Sequence, residues 1–387
     1  MSFEFSTANR IIFGPGALGR VASLAAPMGK AALVVTGSKA DRAEPLLQQL
    51  KQTGITTTVF PVAAEPTTTI AADALELARR SACDLVIAIG GGSVVDTGKV
   101  VAALLANPGD LTDYLEVVGP GNPLTRSSKP YIAIATTAGA GAEVTRNAVL
   151  AVPDHHVKVS IRSPFMLPRV ALIDPELTYS LPPAITAATG LDALTQLIEA
   201  FVTGHANPLT DSFCREGLHR AARSLQTAVE DGRNHDARYD MALAAIFGGL
   251  ALANAKLGAV HGIAGPLGGM FDAPHGALCA RLLPPVMQAN LRALQQRAPE
   301  SPALTRYDEI AQILTANPDA RAADAIAWTQ SLCQTCQIPH LSHYAIQSSH
   351  IPAIIANAQN ASSMKGNPIG LTNPELSQIL KSAIAPT

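Results

Sequence analysis

Charge is scarce in this chain. Of its 387 residues only 15% are Asp, Glu, Lys or Arg, against 48% hydrophobic, and the formal net charge is −2. There is no basic run, and aromatic residues make up only 4%. Nucleic-acid binders need a positive footprint to hold phosphates, so that class is excluded. So little charge to cover a surface fits burial of part of it in an oligomer interface. Five widely spread cysteines, an odd number, fit a reducing cytoplasm better than a disulfide framework. No apolar run reaches the roughly 18 residues of a membrane span. The start, MSFEFSTANR, carries Glu4 early and lacks an apolar core, so neither a signal peptide nor membrane attachment is expected. GxGxxG and the Walker pattern are also missing.

What is present divides into two halves. Apolar runs at 31–35, 84–89, 131–135 and 170–173 read as buried parallel strands. Short strands are expected at 3–5 and 10–13, a β-branched one at 56–60, and a strand-like run at 156–161 around Lys158. Helices are expected at 17–26, 41–53, 68–81 and 94–106. After Pro182-Pro183 β-branched runs cease, and helices are expected at 184–203, 208–230, 236–257, 259–268, 276–292, 303–316, 320–335, 348–360 and 373–384. The expected architecture is an α/β nucleotide-binding domain over 1–180 and an all-helical domain over 181–387.

In the first half, the 84–89 strand runs into Gly90-Gly91-Gly92-Ser93 and then a helix. Glycines let backbone N–H groups approach a phosphate, and a helix N-terminus favours the anion. A second small-residue loop, Thr136 to Gly141, follows the 131–135 strand. Ligands of open α/β sheets bind beyond such strand ends.

In the second half, Gly258 to Gly276 reads GAVHGIAGPLGGMFDAPHG and holds His261 and His275. Upstream, Asp192 and Gln196 stand four apart on one helical face. A carboxylate with two imidazoles suits Zn²⁺ or Fe²⁺. The alternative is a helix cap and a satisfied core histidine. Cys333, Cys336, His340 and His343 lack the dozen or more residues a zinc finger puts between its ligand pairs, so they read as a helix end at Pro339. A site drawing on both halves is expected in the cleft between them.

Taken together, GGGSVVD (90–96), TTAGAGAEVT (136–145), DPELTYSLP (174–182), GLDALTQLIEA (190–200), the 258–276 stretch and NPIGLTNPEL (367–376) resemble the iron-containing (group III) alcohol dehydrogenase family. The likeness covers nearly the whole chain in order. It implies a Rossmann-like α/β domain followed by a helical metal-binding domain, the dehydroquinate synthase-like fold. It also implies a usually dimeric NAD(P)-dependent oxidoreductase acting on alcohols, aldehydes or ketones.

By the same likeness Gly91, Gly92 and Ser93 bind the pyrophosphate, with Asp96 following. Thr136 and Thr137 lie near the nicotinamide ribose, Lys158 meets a cofactor ribose, and the segment from Leu177 to Leu181 lines the adenine side. The family's metal site holds one Asp and three His. Asp192, His261 and His275 match three; Gln196 stands at the fourth. Gly265 replaces a further His found near the substrate in many relatives, which enlarges the pocket and removes a proton shuttle. Near the first strand's end, Gly37 replaces an Asp that would repel a 2′-phosphate, and Ser38 and Lys39 could bind one, which favours NADP over NAD.

The expected reaction is hydride transfer at a nicotinamide, with a divalent metal, Fe²⁺ or Zn²⁺, held by Asp192, His261, His275 and Gln196 as Lewis acid. Met270 and Phe271 are read equally as pocket-lining or core. Two other readings stay open: a metal-independent, maleylacetate-reductase-like enzyme, and a non-catalytic nucleotide-binding protein.

Overall fold

The computed structural model describes residues 2–384, which form two compact units. One comprises residues 5–137 and 141–178; the other comprises 138–140 and everything from Tyr179 on, with the residues leading up to Glu4.

The first unit is built on a six-stranded, all-parallel sheet. In chain order its elements are β1 (Ile11–Phe13), α1 (Val21–Ala25), β2 (Ala31–Gly37), α2 (Glu44–Gln52), β3 (Thr56–Val62), α3 (Thr68–Arg80), β4 (Leu85–Gly90), α4 (Gly92–Leu104), β5 (Tyr131–Ala135), the hairpin strands β6 (Asn147–Val152) and β7 (Val157–Arg162), and β8 (Val170–Ile173). The strand order is β1-β8-β5-β4-β2-β3. The interior strands β4, β5 and β8 are buried at every position, as uniformly apolar runs require when helices cover both sheet faces. β2 passes to β3 on one side while β4 lies on its other side, so strand order reverses between β2 and β4. Gly37, Gly90 and Ala135 end their strands on the same edge of the sheet. β1 pairs with β8 alone, Ile11 opposite Ala171.

One local expectation fails here. Residues 3–5 form no strand; Phe3 is 45% exposed, and among the described residues nothing beyond β1 extends that edge of the sheet. The run around Lys158 is a strand, as expected, and forms one arm of an antiparallel hairpin. Its other arm, β6, alternates buried and half-buried residues and was hidden by its length and low β-branching.

The second unit is helical among its described residues: α5 (Pro183–Val202), α6 (Pro208–Glu230), α7 (His235–Asn254), α8 (Ala259–Met270), α9 (His275–Arg297), α10 (Pro302–Thr315), α11 (Ala322–Thr335), α12 (Ile351–Asn360) and α13 (Asn373–Ile384). One apolar core joins these helices. α5 is long and apolar enough to cross a membrane, contrary to the reading by runs, but 83% of that stretch is buried inside the protein. α9 is also longer than expected and runs straight through Pro284 and Pro285. Pro284 has no N–H to offer the carbonyl four residues back, Ala280. The Cys333 thiol supplies the donor, 3.3 Å from Ala280 O.

Candidate active site

α8 opens at Gly258, and its first amides find partners far away in sequence. Asn367 Oδ1 accepts from Ala259 N–H at 3.0 Å, and Glu199 Oε1 accepts from Val260 N–H at 2.7 Å. A carboxylate is favoured at this positive helix end. The second Glu199 oxygen lies 2.6 Å from His261 Nδ1 and accepts its proton, which leaves Nε2 as a bare lone pair pointing away from Glu199. Glu199 shares a face of α5 with Asp192, two turns earlier.

His275 is the first residue of α9. A side chain on the next residue, Gly276, would overlap the Ala188 carbonyl oxygen of α5. Only glycine lets the two backbones meet there, and that closeness brings His275 to Asp192. Asp192 Oδ1 is 3.3 Å from His261 Nε2 and 4.0 Å from His275 Nε2. One turn along α9, Cys279 Sγ lies 3.5 Å from His275 Nε2. Donor atoms of Asp192, His261, His275 and Cys279 all fall within 4.8 Å of one another. His275 is the open side, with 35% of its side chain exposed against 6% for Asp192.

Gln196, four residues after Asp192, turns its amide nitrogen to Asp192 Oδ2 at 3.3 Å. Three buried atoms here make no aligned hydrogen bond: Asp192 Oδ1, His261 Nε2 and Gln196 Oε1. Buried polar atoms are seldom left so, because each costs its desolvation unrepaid. All three are lone-pair donors in form, which is what a divalent cation needs.

The electrostatics agree. Burial works against charge on His261, but the Cys279, Asp192 and Glu199 groups outweigh it and drive the imidazole well above its ordinary value. Burial raises Asp192, yet the two imidazoles outweigh that and hold it below the usual carboxylate value. Burial pushes the Cys279 thiol up to about 12. The cluster demands positive charge, and a proton on His261 and a divalent ion are competing ways to meet it.

In the α/β unit, β4 passes through Gly91, the N-cap of α4, with no side-chain cap and no acidic residue in the first turn. A Cβ on Gly91 would sit 3.4 Å from Thr137 Cγ2, so glycine keeps this approach clear. Thr136 N–H donates to Gly90 O at 2.9 Å and ties the two loops together. The bare helix end and cleared backbone fit a phosphate group. Around Gly37 nothing lies within 4 Å of a would-be Cβ, and Ser38 and Lys39 are exposed.

Residues 8–175 match the family model for iron-containing alcohol dehydrogenase, and residues 186–384 match that family's C-terminal model. The chain belongs to the iron-containing alcohol dehydrogenase family. It is 35% identical to a 1,3-propanediol dehydrogenase of Klebsiella pneumoniae, with 98% of each chain covered. The crystal structure of a 1,3-propanediol oxidoreductase superposes with a TM-score of 0.90 at 35% identity, covering 99% of this chain and 100% of the other. A sulfoacetaldehyde reductase from Bifidobacterium kashiwanohense, solved in complex with NAD+, gives a TM-score of 0.87 at 26% identity, covering 100% of both chains. The Rossmann-like sheet followed by a helical unit is this family's fold. Membership makes the protein an oxidoreductase of the alcohol dehydrogenase class, acting on a small alcohol or aldehyde with a divalent metal and a nicotinamide cofactor.

The other residues singled out in the sequence have partners of their own. Asp96 accepts from Val149 N–H at 2.9 Å and faces Lys99 at 3.4 Å, so its carboxylate ties α4 to the hairpin. Lys158 is paired with Glu65 at 3.0 Å, with only 8% of its side chain exposed. Leu177 packs beneath the sheet; Leu181 is buried in the helical unit, where its carbonyl accepts from Arg238 at 3.4 Å. Phe271 packs against His350 with the rings tilted and their centroids 5.0 Å apart, and Met270 Sδ accepts from Asn357 at 3.4 Å. His340 pairs with Arg281, while Cys333 serves Ala280, so the Cys-His run at 333–343 does not gather. Nothing lies within 4 Å of a would-be Cβ on Gly265, one turn beyond His261. Cys279 and Glu199 were missed. Both were accessible from helical spacing: Cys279 repeats on α9 the four-residue step of Asp192 and Gln196 on α5, and Glu199 follows Asp192 by seven.

Proposed function

We propose that the protein interconverts a small alcohol and its aldehyde or ketone by hydride transfer, with a divalent metal held by Asp192, His261 and His275. The observation that carries this reading is the pair of buried, unpartnered donor atoms, Asp192 Oδ1 and His261 Nε2, beside His275. Gln196, whose amide oxygen also lacks a partner, is the fourth candidate donor. When bound, the ion supplies Lewis acidity toward a hydroxyl or carbonyl oxygen, and the nicotinamide ring supplies or takes the hydride.

The chain's own residues set the conditions. Glu199 holds the proton of His261 at Nδ1 and so keeps Nε2 free for the ion. Asp192 contributes the negative charge that retains it. Gly91, Gly92 and Ser93 at the N-terminus of α4 hold the cofactor phosphates through backbone N–H groups and the helix dipole, with Thr136, Thr137, Asp96 and Lys158 around them. The open space at Gly265 admits a substrate bulkier than ethanol and leaves no imidazole to move the alcohol proton, which passes to water. The absence of a carboxylate at Gly37, with Ser38 and Lys39 exposed, supports NADP(H) over NAD(H). A homodimer accompanies the family reading.

The test is NAD(P)H oxidation against a panel of aldehydes, before and after removal of metal by a chelator, with elemental analysis. Loss of turnover on chelation and recovery with Zn²⁺ or Fe²⁺ is expected. Full activity without metal would overturn the metal role and favour a metal-independent reductase, a reading that the hydrogen bond from Gln196 to Asp192 also fits. Cofactor binding with no turnover on any substrate would overturn the enzyme. Comparing KM for NADPH and NADH decides the cofactor preference.

A further inference from the structure

We infer that Cys279 is the fourth protein donor of the metal centre, a thiolate in a set of Asp192, His261, His275 and Cys279. This rests on the metal reading above and names the donor that completes it. At position 196, where related enzymes have a third imidazole, the side chain is an amide whose N–H₂ end faces Asp192 Oδ2. Its carbonyl end points toward Gly248, where an added Cβ would stand 3.0 Å from it. The sulfur of Cys279 is placed differently. It is fully buried, one turn from His275 on the same face of α9, and its Sγ is within 4.8 Å of a donor atom from each of the other three residues.

The spacings suit coordination. Metal–donor bonds of about 2.0–2.3 Å at tetrahedral angles put neighbouring donor atoms roughly 3.3–3.6 Å apart. Sγ to His275 Nε2 is 3.5 Å, and His261 Nε2 to Asp192 Oδ1 is 3.3 Å. On binding, the Cys279 S–H proton leaves to solvent and a metal–sulfur bond takes its place, with no change in the metal's oxidation state. Two anionic donors then neutralise a divalent ion, and the soft sulfur favours Zn²⁺ over Fe²⁺.

Replacing the native metal with Co²⁺ in the full-length protein tests this, because a thiolate on Co²⁺ gives a charge-transfer band in the near ultraviolet. The expected result is one Co²⁺ per chain with that band. Cys279→Ser should abolish the band and weaken Co²⁺ binding about tenfold or more in competition with a chelator. Cys333→Ser/Cys336→Ser should leave the band in place. The wild-type spectrum is decisive even if a variant fails to fold. One Co²⁺ bound without the band would overturn the assignment of Cys279 and leave the amide of Gln196 or an open position, with the three-residue metal site intact. A band lost in Cys333→Ser/Cys336→Ser would overturn it as well. No Co²⁺ bound at all would overturn the metal site itself.

Discussion

Two buried charged clusters treat their members in opposite ways. In the α/β unit Lys99 is completely buried, yet its ammonium donates to Ala142 O at 2.8 Å, Thr145 Oγ1 at 3.1 Å and Asn147 O at 2.5 Å, and faces Asp96. Every donor is used, and the cluster is complete as it stands. Asp192 and His261 keep their side chains to 6% and 8% exposure, but here lone pairs are left over. The helical unit does satisfy its charges elsewhere: Asp240 takes Arg223 at 2.6 and 2.8 Å, Arg220 at 2.6 Å and Ser224 at 2.7 Å. Single unpartnered atoms occur elsewhere, as at Thr36, Gln49, Ser128 and Arg220 Nε, but three lone pairs left over at one point mark a place kept for something the chain does not supply.

The sharpest way to break this contrast is His261→Ala. Losing one donor should remove the stoichiometric metal and, with several kcal/mol of transition-state stabilisation gone, lower turnover about a thousandfold or more; elemental analysis and the aldehyde assay read both. The substitution also leaves one buried Glu199 oxygen without its imidazole, so the denaturation midpoint should fall as well. Lys99→Met should spare the metal. It strands the Asp96 carboxylate in the interior and is expected to cost about 3–5 kcal/mol of stability while the helical unit keeps its metal; an unchanged denaturation midpoint would show that the saturated cluster is not structural.

Glu199→Gln sharpens the contrast from within. The amide cannot hold His261 Nδ1–H as a carboxylate does, and metal affinity should fall roughly 10–100-fold in chelator competition. The smallest effect belongs to Asp240. Burial alone would raise its pKa, but hydrogen bonds from Arg223 and Ser224 and the charges of both arginines outweigh it and hold it below the usual carboxylate value. A depressed folded-state value means stability present above the unfolded value of about 3.9 and lost as pH falls through the folded one. Asp240→Asn should cost about 2 kcal/mol at pH 7, and in acid unfolding curves that difference should shrink below about pH 4 and be gone only below the folded-state value.

Legibility in the sequence followed physical simplicity. β2, β4, β5 and β8 were readable because strands buried on both faces leave an unbroken apolar run. β6 was not, since its half-buried alternation is a weak signal over six residues. A helix through Pro284 and Pro285 was expected, but what permits it was hidden, because the compensation lies about fifty residues away, in the Cys333 thiol. Within the cluster, the carboxylate and both histidines stood out as residue types rarely buried without a reason. Cys279 did not, because a buried cysteine is ordinary in a core. Glu199 stood at a legible seven-residue step from Asp192, but the partners that give it a role lie about sixty residues on in α8.

The edge strand β1 has a consequence in time. Its single partner, β8, comes about 160 residues later, with Ile11 opposite Ala171. Ribosomes add about 5–20 residues each second, so the first strand waits roughly 8–30 s for its neighbour to exist. Asp174, just after β8, then accepts from the backbone of Gly16 and Leu18 at 3.2 and 3.0 Å and fastens the start of the chain to the newly made end of the sheet. The nucleotide-binding sheet thus closes on its earliest residues last, and a chain cut short before residue 170 leaves an unpaired apolar strand exposed at its own beginning.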